Sequence, residues 1–242
     1  MIIVVIPARW GSTRFPGKPL IDIAGKPMIE HVYRQASRAR GIDKVLVATD
    51  DTRILKCIRE FGGECILTGE HRSGTDRVAE AVADIECDIV VNVQGDEPII
   101  PPQMIEQVIE PFRSDNSLPM ASLKRAFREG EDPNSPQLVK VVTDIHNNAL
   151  FFSRSLLPYP RDPQQSQPFL HIGIYAYRKN FLLKFSSLPS TPLEQTEGLE
   201  QLRALEHGYR IKVPTTEFFS IGVDVPEDIE KIRKHLKNDG SC

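Results

Sequence analysis

Cysteine is scarce in this chain of 242 residues: four residues, Cys57, Cys65, Cys87 and Cys242. None forms a C-x-x-C pair, and the density is far below that of a disulfide scaffold, which argues against structural zinc and points to a reducing compartment. The six histidines, at 31, 71, 146, 171, 207 and 235, include no i, i+4 pair, so no helical zinc site exists either. No long apolar run is present. Residues 1–7 are apolar, but they lack a basic flank and are cut short by Pro7 and Arg9, so neither a signal peptide nor a membrane span is expected and a cytoplasmic location is. Excess charge of one sign is also missing: the net charge is -3 with 26% charged residues, which excludes a global basic field for nucleic acid. Any anion site must therefore be local.

What is present is alternation. Short β-branched runs at residues 2–6, 45–49 and 88–93 alternate with helical patterns at 27–40, 52–61 and about 76–85, the signature of parallel strands joined by crossover helices. The second half is less regular. Strands are expected at 139–142, 149–153 and 171–177 and also at 210–215, with helices near 181–186, 192–207 and 226–236. No repeat and no long linker divides the chain, so the expectation is one α/β domain over 1–242. Its parts are 1–112, about 113–215, and 216–242.

The first strand opens into a loop where open α/β sheets bind ligands, at the strand's carboxyl end. That loop carries Ala8, Arg9, Gly11, Ser12, Thr13, Arg14, Gly17 and Lys18: small residues that let backbone amides approach an anion, with three cations for phosphate oxygens. It is not a P-loop, since Pro19 follows Lys18, and it has no G-x-G-x-x-G. Taken alone, it reads equally as a basic surface loop.

Two carboxylates accompany it. Asp96 follows the third strand in Gln94-Gly95-Asp96-Glu97, and Asp224 lies far along the chain in Gly222-Val223-Asp224-Val225. By itself Asp96 also fits an Asx-turn. Asp224 does not fit a helix N-cap, because Pro226 as the first helical residue puts the cap on Val225. Two carboxylates with triphosphate oxygens and water make the octahedral oxygen shell that Mg²⁺ demands.

The segment Pro7-Ala8-Arg9, Gly11-Ser12, Arg14 and Lys18-Pro19-Leu20 resembles the opening motif PAR-x-GS-x-R-x-x-x-KP-L of the cytidylyltransferases that activate acidic sugars. Ser73-Gly74-Thr75-Asp76-Arg77 resembles the same family's nucleotide motif, although by itself it is also an ordinary capped helix start. Residues 171–177 and 192–203 match H-x-G-I-Y-x-Y and P-L-E-x-x-E-x-L-E-Q-L-R, the patterns of the branch acting on 3-deoxy-manno-octulosonate (Kdo). Val225 departs from the Thr or Ser usual there.

The resemblance implies a single Rossmann-like, glycosyltransferase-A-like fold with a mostly parallel central sheet, flanking helices and a smaller extension for dimerisation and sugar binding. It implies CTP and Kdo as substrates, Mg²⁺ as cofactor, a homodimer, and no membrane or nucleic-acid partner. Arg9, Lys18, Asp96 and Asp224 would be catalytic, the last two on the metal. Ser73 and Gly74 would read the nucleotide's pyrimidine, Arg77 would brace the loop and reach the substrate, and Thr49, Asp50 and Gln94 would border the same pocket. A sugar carboxylate calls for Arg or His donors, which Arg154, Arg161 and His171 offer; Tyr175, Glu200 and Gln201 complete the acceptor set. Helical spacing alone assigns Glu200 and Gln201 to a solvated face.

Overall fold

Alternating buried runs and amphipathic helices build the first hundred residues. The computed structural model describes residues 1–11, 15–162 and 167–238. In chain order these form strand β1 (Ile2–Ala8), the short pair β2 (Asp22–Ile23) and β3 (Lys26–Pro27), helix α1 (Met28–Ala36), β4 (Lys44–Thr49), α2 (Thr52–Glu60), β5 (Cys65–Leu67), α3 (Gly74–Val82), β6 (Ile89–Asn92), α4 (Pro102–Ile109) and α5 (Pro111–Ser114). Then come β7 (Met120–Ala126), β8 (Lys140–Thr143), β9 (Ala149–Ser153), β10 (Phe169–Arg178), α6 (Lys179–Ser187), α7 (Pro192–Glu197), α8 (Gln201–Glu206), β11 (Ile211–Lys212) and α9 (Asp228–Asn238). The chain divides into two compact units, 1–106 with 219–242, and 107–218.

In the first unit β6, β1, β4 and β5 lie side by side, all parallel, with Val4 opposite both Val45 and Val91. Ile3, Val4, Val5 and Ile6 are fully buried, which is why β1 is apolar without alternation: in a parallel sheet both faces are covered. Helix α1 buries Met28, Ile29, Val32 and Ala36 along one stripe. Helices α2 and α3 start where side chains cap them: Asp51 accepts from the N–H groups of Arg53 and Ile54, and Ser73 from that of Asp76.

The C-terminal segment returns to this unit. Val223, Ile229, Ile232 and Leu236 pack with Ile23, Met28 and Ile99 in one apolar cluster, holding residues 222–225 in place. The regular part of α9 begins at Asp228, two residues later than the sequence reading. Its carboxylate accepts from the N–H groups of Asp224 and Val225, at 3.1 and 3.2 Å. Asp228 thus supplies one half of a capping box, while Val225 has no hydroxyl for the other half.

The second unit is mostly antiparallel. Strand β10 pairs with β7 and β8, β8 with β9, and β11 runs parallel to β7. The β10–β7 register shifts between Ile172 and Ala176, a bulge that bends the strand beside Tyr175. Strand β7 was not read from the sequence, and the reason is chemical: Ser122, Lys124 and Arg125 are buried in it. Lys124 donates to Asn147 at 3.0 Å, and Arg125 forks onto Glu131. The expected helix at 192–207 is two helices, because Gly198 adopts φ +62 and ends α7.

Among the described residues, Gly95 is the glycine that a close backbone approach requires at the sheet's ligand edge. A Cβ on Gly95 would stand 2.7 Å from Pro7 O, whereas one on Gly11 meets nothing within 4 Å. Gly95→Ala is expected to lose roughly 1–3 kcal/mol in urea unfolding, and Gly11→Ala to stay within about 0.5 kcal/mol of the parent. Equal stability of Gly95→Ala and the parent contradicts the close approach.

Candidate functional site

The carboxyl ends of β1 and β6 open toward one cavity of about 260 Å³ in the first unit. Its walls are Pro7, Ala8, Arg9, Lys18 and Pro19 from the first loop, Gln94, Gly95 and Asp96 after β6, and His71, Arg72, Ser73, Gly74 and Arg77 around the start of α3, with Met28 and Asp224. Four residues singled out from sequence, Arg9, Lys18, Asp96 and Asp224, therefore share one cavity although they span most of the chain. Ser12, Thr13 and Arg14 lie outside the described residues. Gly11 is exposed and does not line the cavity.

Lys18 is the node of this cavity. Its ammonium donates to Asp96 Oδ2 at 2.7 Å and to the carbonyl of Val223 at 2.7 Å. The N–H of Val223 in turn donates to Asp96 O at 2.9 Å. One cation and one backbone bond thus hold the loop after β6 against residues 222–224 and bring the Asp224 carboxylate to the wall that carries Asp96. Beside them Glu97 is half-buried with one carboxylate oxygen out of reach of solvent, and desolvation, then the charge of Asp96, pushes its carboxyl up to about 7.

The nucleotide set divides in two. Ser73 and Gly74 line the cavity, and Ser73 is also the cap of α3, so the capping and binding readings describe one place. Arg77 lines it as well, but its donors are taken up: Thr68 Oγ1 at 2.6 Å, Gly69 O at 3.3 Å and Asp50 Oδ2 at 2.7 Å. At 3% exposure it braces the ends of β4 and β5 against α3. Thr49 and Asp50 do not line the cavity: Thr49 is buried and accepts from the N–H of Asp51, and Asp50 serves Arg77. His71 and Arg72 are cavity residues that the sequence reading did not single out; their adjacency to Ser73 was the available signal.

In the second unit a cavity of about 310 Å³ is lined by His171 and Tyr175 from β10 and by Gln201, together with Gln137, Leu138, Val139, Leu170, Gly173 and Leu199. His171 and Tyr175 share a face of β10, their rings 5.5 Å apart. Burial pushes the imidazole down to about 3, so the ring is neutral. It does not supply the positive charge expected for a sugar carboxylate. His171 Nε2 lies 2.8 Å from Ser122 Oγ, whose hydroxyl also reaches the carbonyls of Ile172 and Ile174 at 2.9 Å. With the hydroxyl proton given to a carbonyl, Ser122 accepts from Nε2–H and leaves Nδ1 as the ring's acceptor.

Burial, then the charge of Glu200, raises Tyr175 and keeps its phenol protonated. Gln201 is buried, contrary to the solvated face that helical spacing assigns it, since the break at Gly198 turns α8 afresh. This cavity offers neutral donors and acceptors suited to hydroxyl groups. Arg154 is absent from its lining. Its guanidinium donates to Glu197 O at 2.7 Å and Pro136 O at 2.9 Å, next to fully buried Lys140, which donates to Ser135 O at 2.9 Å and to Arg154 O. Arg154 is a brace. Arg161 is exposed and does not line the cavity either.

The known proteins that this chain resembles are cytidylyltransferases. Residues 3–212 match the cytidylyltransferase family. A 3-deoxy-manno-octulosonate cytidylyltransferase from Trichlorobacter lovleyi is 51% identical over 98% of both chains, and one from Geobacter sulfurreducens is 49% identical over 98% of this chain and 99% of its own. The solved structure of a CMP:2-keto-3-deoxy-manno-octonic acid synthetase complexed with CTP superposes with a TM-score of 0.94 at 44% identity, covering 98% of this chain and 99% of that one.

Neutral His171 has a pH signature. Below its ordinary value of 6.5 the unfolded chain binds a proton that the native chain refuses. Stability present above 6.5 is therefore lost as the pH falls toward the native value of about 3. Through this group the parent loses about 2 kcal/mol between pH 7.5 and pH 5.0. His171→Gln is less stable at pH 7.5, and urea unfolding is expected to show that gap closing by about 2 kcal/mol at pH 5.0. A gap independent of pH contradicts a neutral imidazole.

Proposed function

This chain belongs to the cytidylyltransferase family, and we propose that it transfers CMP from CTP to the anomeric hydroxyl of Kdo, giving CMP-Kdo and pyrophosphate and activating Kdo for lipopolysaccharide synthesis. The observation that carries the reading is the single cavity joining Arg9, Lys18, Asp96 and Asp224. Sugar-specific roles rest on the second cavity, where His171, Tyr175 and Gln201 meet. Arg161 is retained in the proposal as a cation for the acceptor's carboxylate.

The reaction is an in-line displacement. The sugar hydroxyl attacks the α-phosphorus, the bond to the β-phosphate oxygen breaks, and pyrophosphate leaves with the added charge. The protein's work is positioning and charge neutralisation. Arg9 lies exposed on the cavity wall, open to phosphate oxygens. Lys18 holds Asp96 in the free protein, and a triphosphate offers its ammonium a second anion. Ser73 and Gly74 present the start of α3 to the nucleotide.

Asp96 and Asp224 fit Mg²⁺. They offer carboxylate oxygens on one wall and are linked through the Val223–Asp96 backbone bond. Substrate oxygens and water would complete the shell. When bound, the metal supplies phosphate charge neutralisation and acidifies the attacking hydroxyl.

A homodimer through the second unit is part of the proposal, on the family resemblance. No described helix is long and apolar enough to cross a membrane, and Cys57, Cys65 and Cys87 are unbridged, consistent with work in the cytoplasm.

Asp96→Asn and Asp224→Asn are each expected to lower Mg²⁺-dependent pyrophosphate release from CTP and Kdo by about 100-fold or more while the thermal midpoint holds. Turnover near the parent's in either variant sinks the metal assignment. For the acceptor, a pyrophosphate-release panel of CTP and UTP against Kdo, its 8-amino analogue and sialic acid is expected to favour CTP with Kdo. CTP binding without turnover on any of these acids would instead identify a nucleotide sensor.

A further inference from the structure

The chain has one tryptophan, Trp10, which lies in the first loop but not on the cavity wall. Its ring is placed by two contacts. The Arg53 guanidinium carbon stands 3.5 Å from the ring centroid. Gly17 lies against the benzo edge, where a Cβ would come within 3.0 Å of Cη2 and 3.1 Å of Cζ2. Gly17 adopts φ +72, and its N–H donates to Trp10 O at 3.0 Å. The two residues therefore meet twice, once through backbone and once through the ring.

Arg53 is itself held. Its Nε and Nη2 donate to the two oxygens of Asp51 at 3.0 and 2.6 Å, and Asp51 also accepts the first N–H groups of α2. The chain of contacts runs from the capped start of α2, through Asp51 and Arg53, to Trp10 and Gly17. What it joins are the immediate neighbours of the two cations, Arg9 before Trp10 and Lys18 after Gly17. Without it, eight residues separate Arg9 from Lys18, and a loop of that length spends affinity on ordering when an anion arrives.

We infer that Asp51, Arg53, Trp10 and Gly17 form a clasp that sets the spacing of Arg9 and Lys18 before the nucleotide binds, with Trp10 as a positioning residue for the triphosphate. The inference rests on assigning Arg9 and Lys18 to CTP phosphates. A clasp that prepays ordering acts on nucleotide affinity, because the loop reaches the same arrangement once the triphosphate is bound. It leaves the acceptor cavity of the second unit untouched. A stack that served stability alone would lower the thermal midpoint and leave CTP affinity as it was.

The test is isothermal titration of CTP with Mg²⁺ into the full-length parent, Trp10→Ala, Trp10→Phe and Arg53→Ala, with steady-state constants for both substrates. Trp10→Ala and Arg53→Ala are expected to weaken CTP binding and raise its KM about tenfold, the scale of one lost stacking contact. Their kcat at saturating CTP stays within about twofold, KM for Kdo is unchanged, and Trp10→Phe recovers most of the affinity. Parent-like CTP affinity in Trp10→Ala or Arg53→Ala overturns the inference, as does a matching fall in kcat or rise in KM for Kdo. If Trp10→Ala fails to fold, Arg53→Ala, which alters a half-exposed side chain, decides alone. A parent that binds no CTP overturns the functional reading instead.

Discussion

Lys18 reaching both Asp96 and the Val223 carbonyl is the contact on which the nucleotide site depends. A cation with two partners, each at 2.7 Å, ties the loop after β1 to the loop after β6 and to the C-terminal segment. Two independent features make that contact possible. The parallel register of β1 and β6 brings their carboxyl ends together, and the apolar cluster of Ile23, Met28, Val223, Ile229, Ile232 and Leu236 fixes where residues 222–225 run. Neither requires nucleotide. The fold thus brings the site's charged side chains together before nucleotide binds.

The two cavities differ in electrostatic character. In the first unit, Arg9, Lys18, Asp96 and Asp224 present full charges beside a partly open wall. In the second, burial keeps His171 neutral and Tyr175 protonated, leaving Glu200 as the nearby carboxylate. Phosphate transfer needs the first kind of surface and recognition of sugar hydroxyls needs the second. Arg154 and Lys140 do not line the second cavity and donate to backbone carbonyls instead.

Legibility in the sequence followed burial chemistry. Strands β1, β4 and β6 were readable because both of their faces are apolar, and Lys18, Asp96 and Asp224 were readable because motif and chemistry agreed. Strand β7 was hidden by buried Lys124 and Arg125, whose partners Asn147 and Glu131 lie elsewhere in the sequence. Periodicity joined α7 to α8 because the spacing of Leu199, Leu202 and Leu205 reads as one helix, although α7 buries no residue and Gly198 alone marks the break. The neutrality of His171 had no signal in the sequence at all, since it arises from burial, with the Phe152 ring packed edge-on against the imidazole. The role of Trp10 was equally invisible, because Arg53 is distant in sequence and ordinary in composition.

The central claim is that Asp96 and Asp224 act as one metal site from which Lys18 turns to phosphate. The most direct measurement is a crystal structure with CTP and Mn²⁺, located by its anomalous signal. The account predicts a manganese ion within about 2.2 Å of an oxygen of each carboxylate, near the distance typical of hard divalent cations, with Lys18 Nζ moved from Asp96 to a phosphate oxygen. Manganese held by other residues, or Lys18 still paired with Asp96 beside bound CTP, would contradict it.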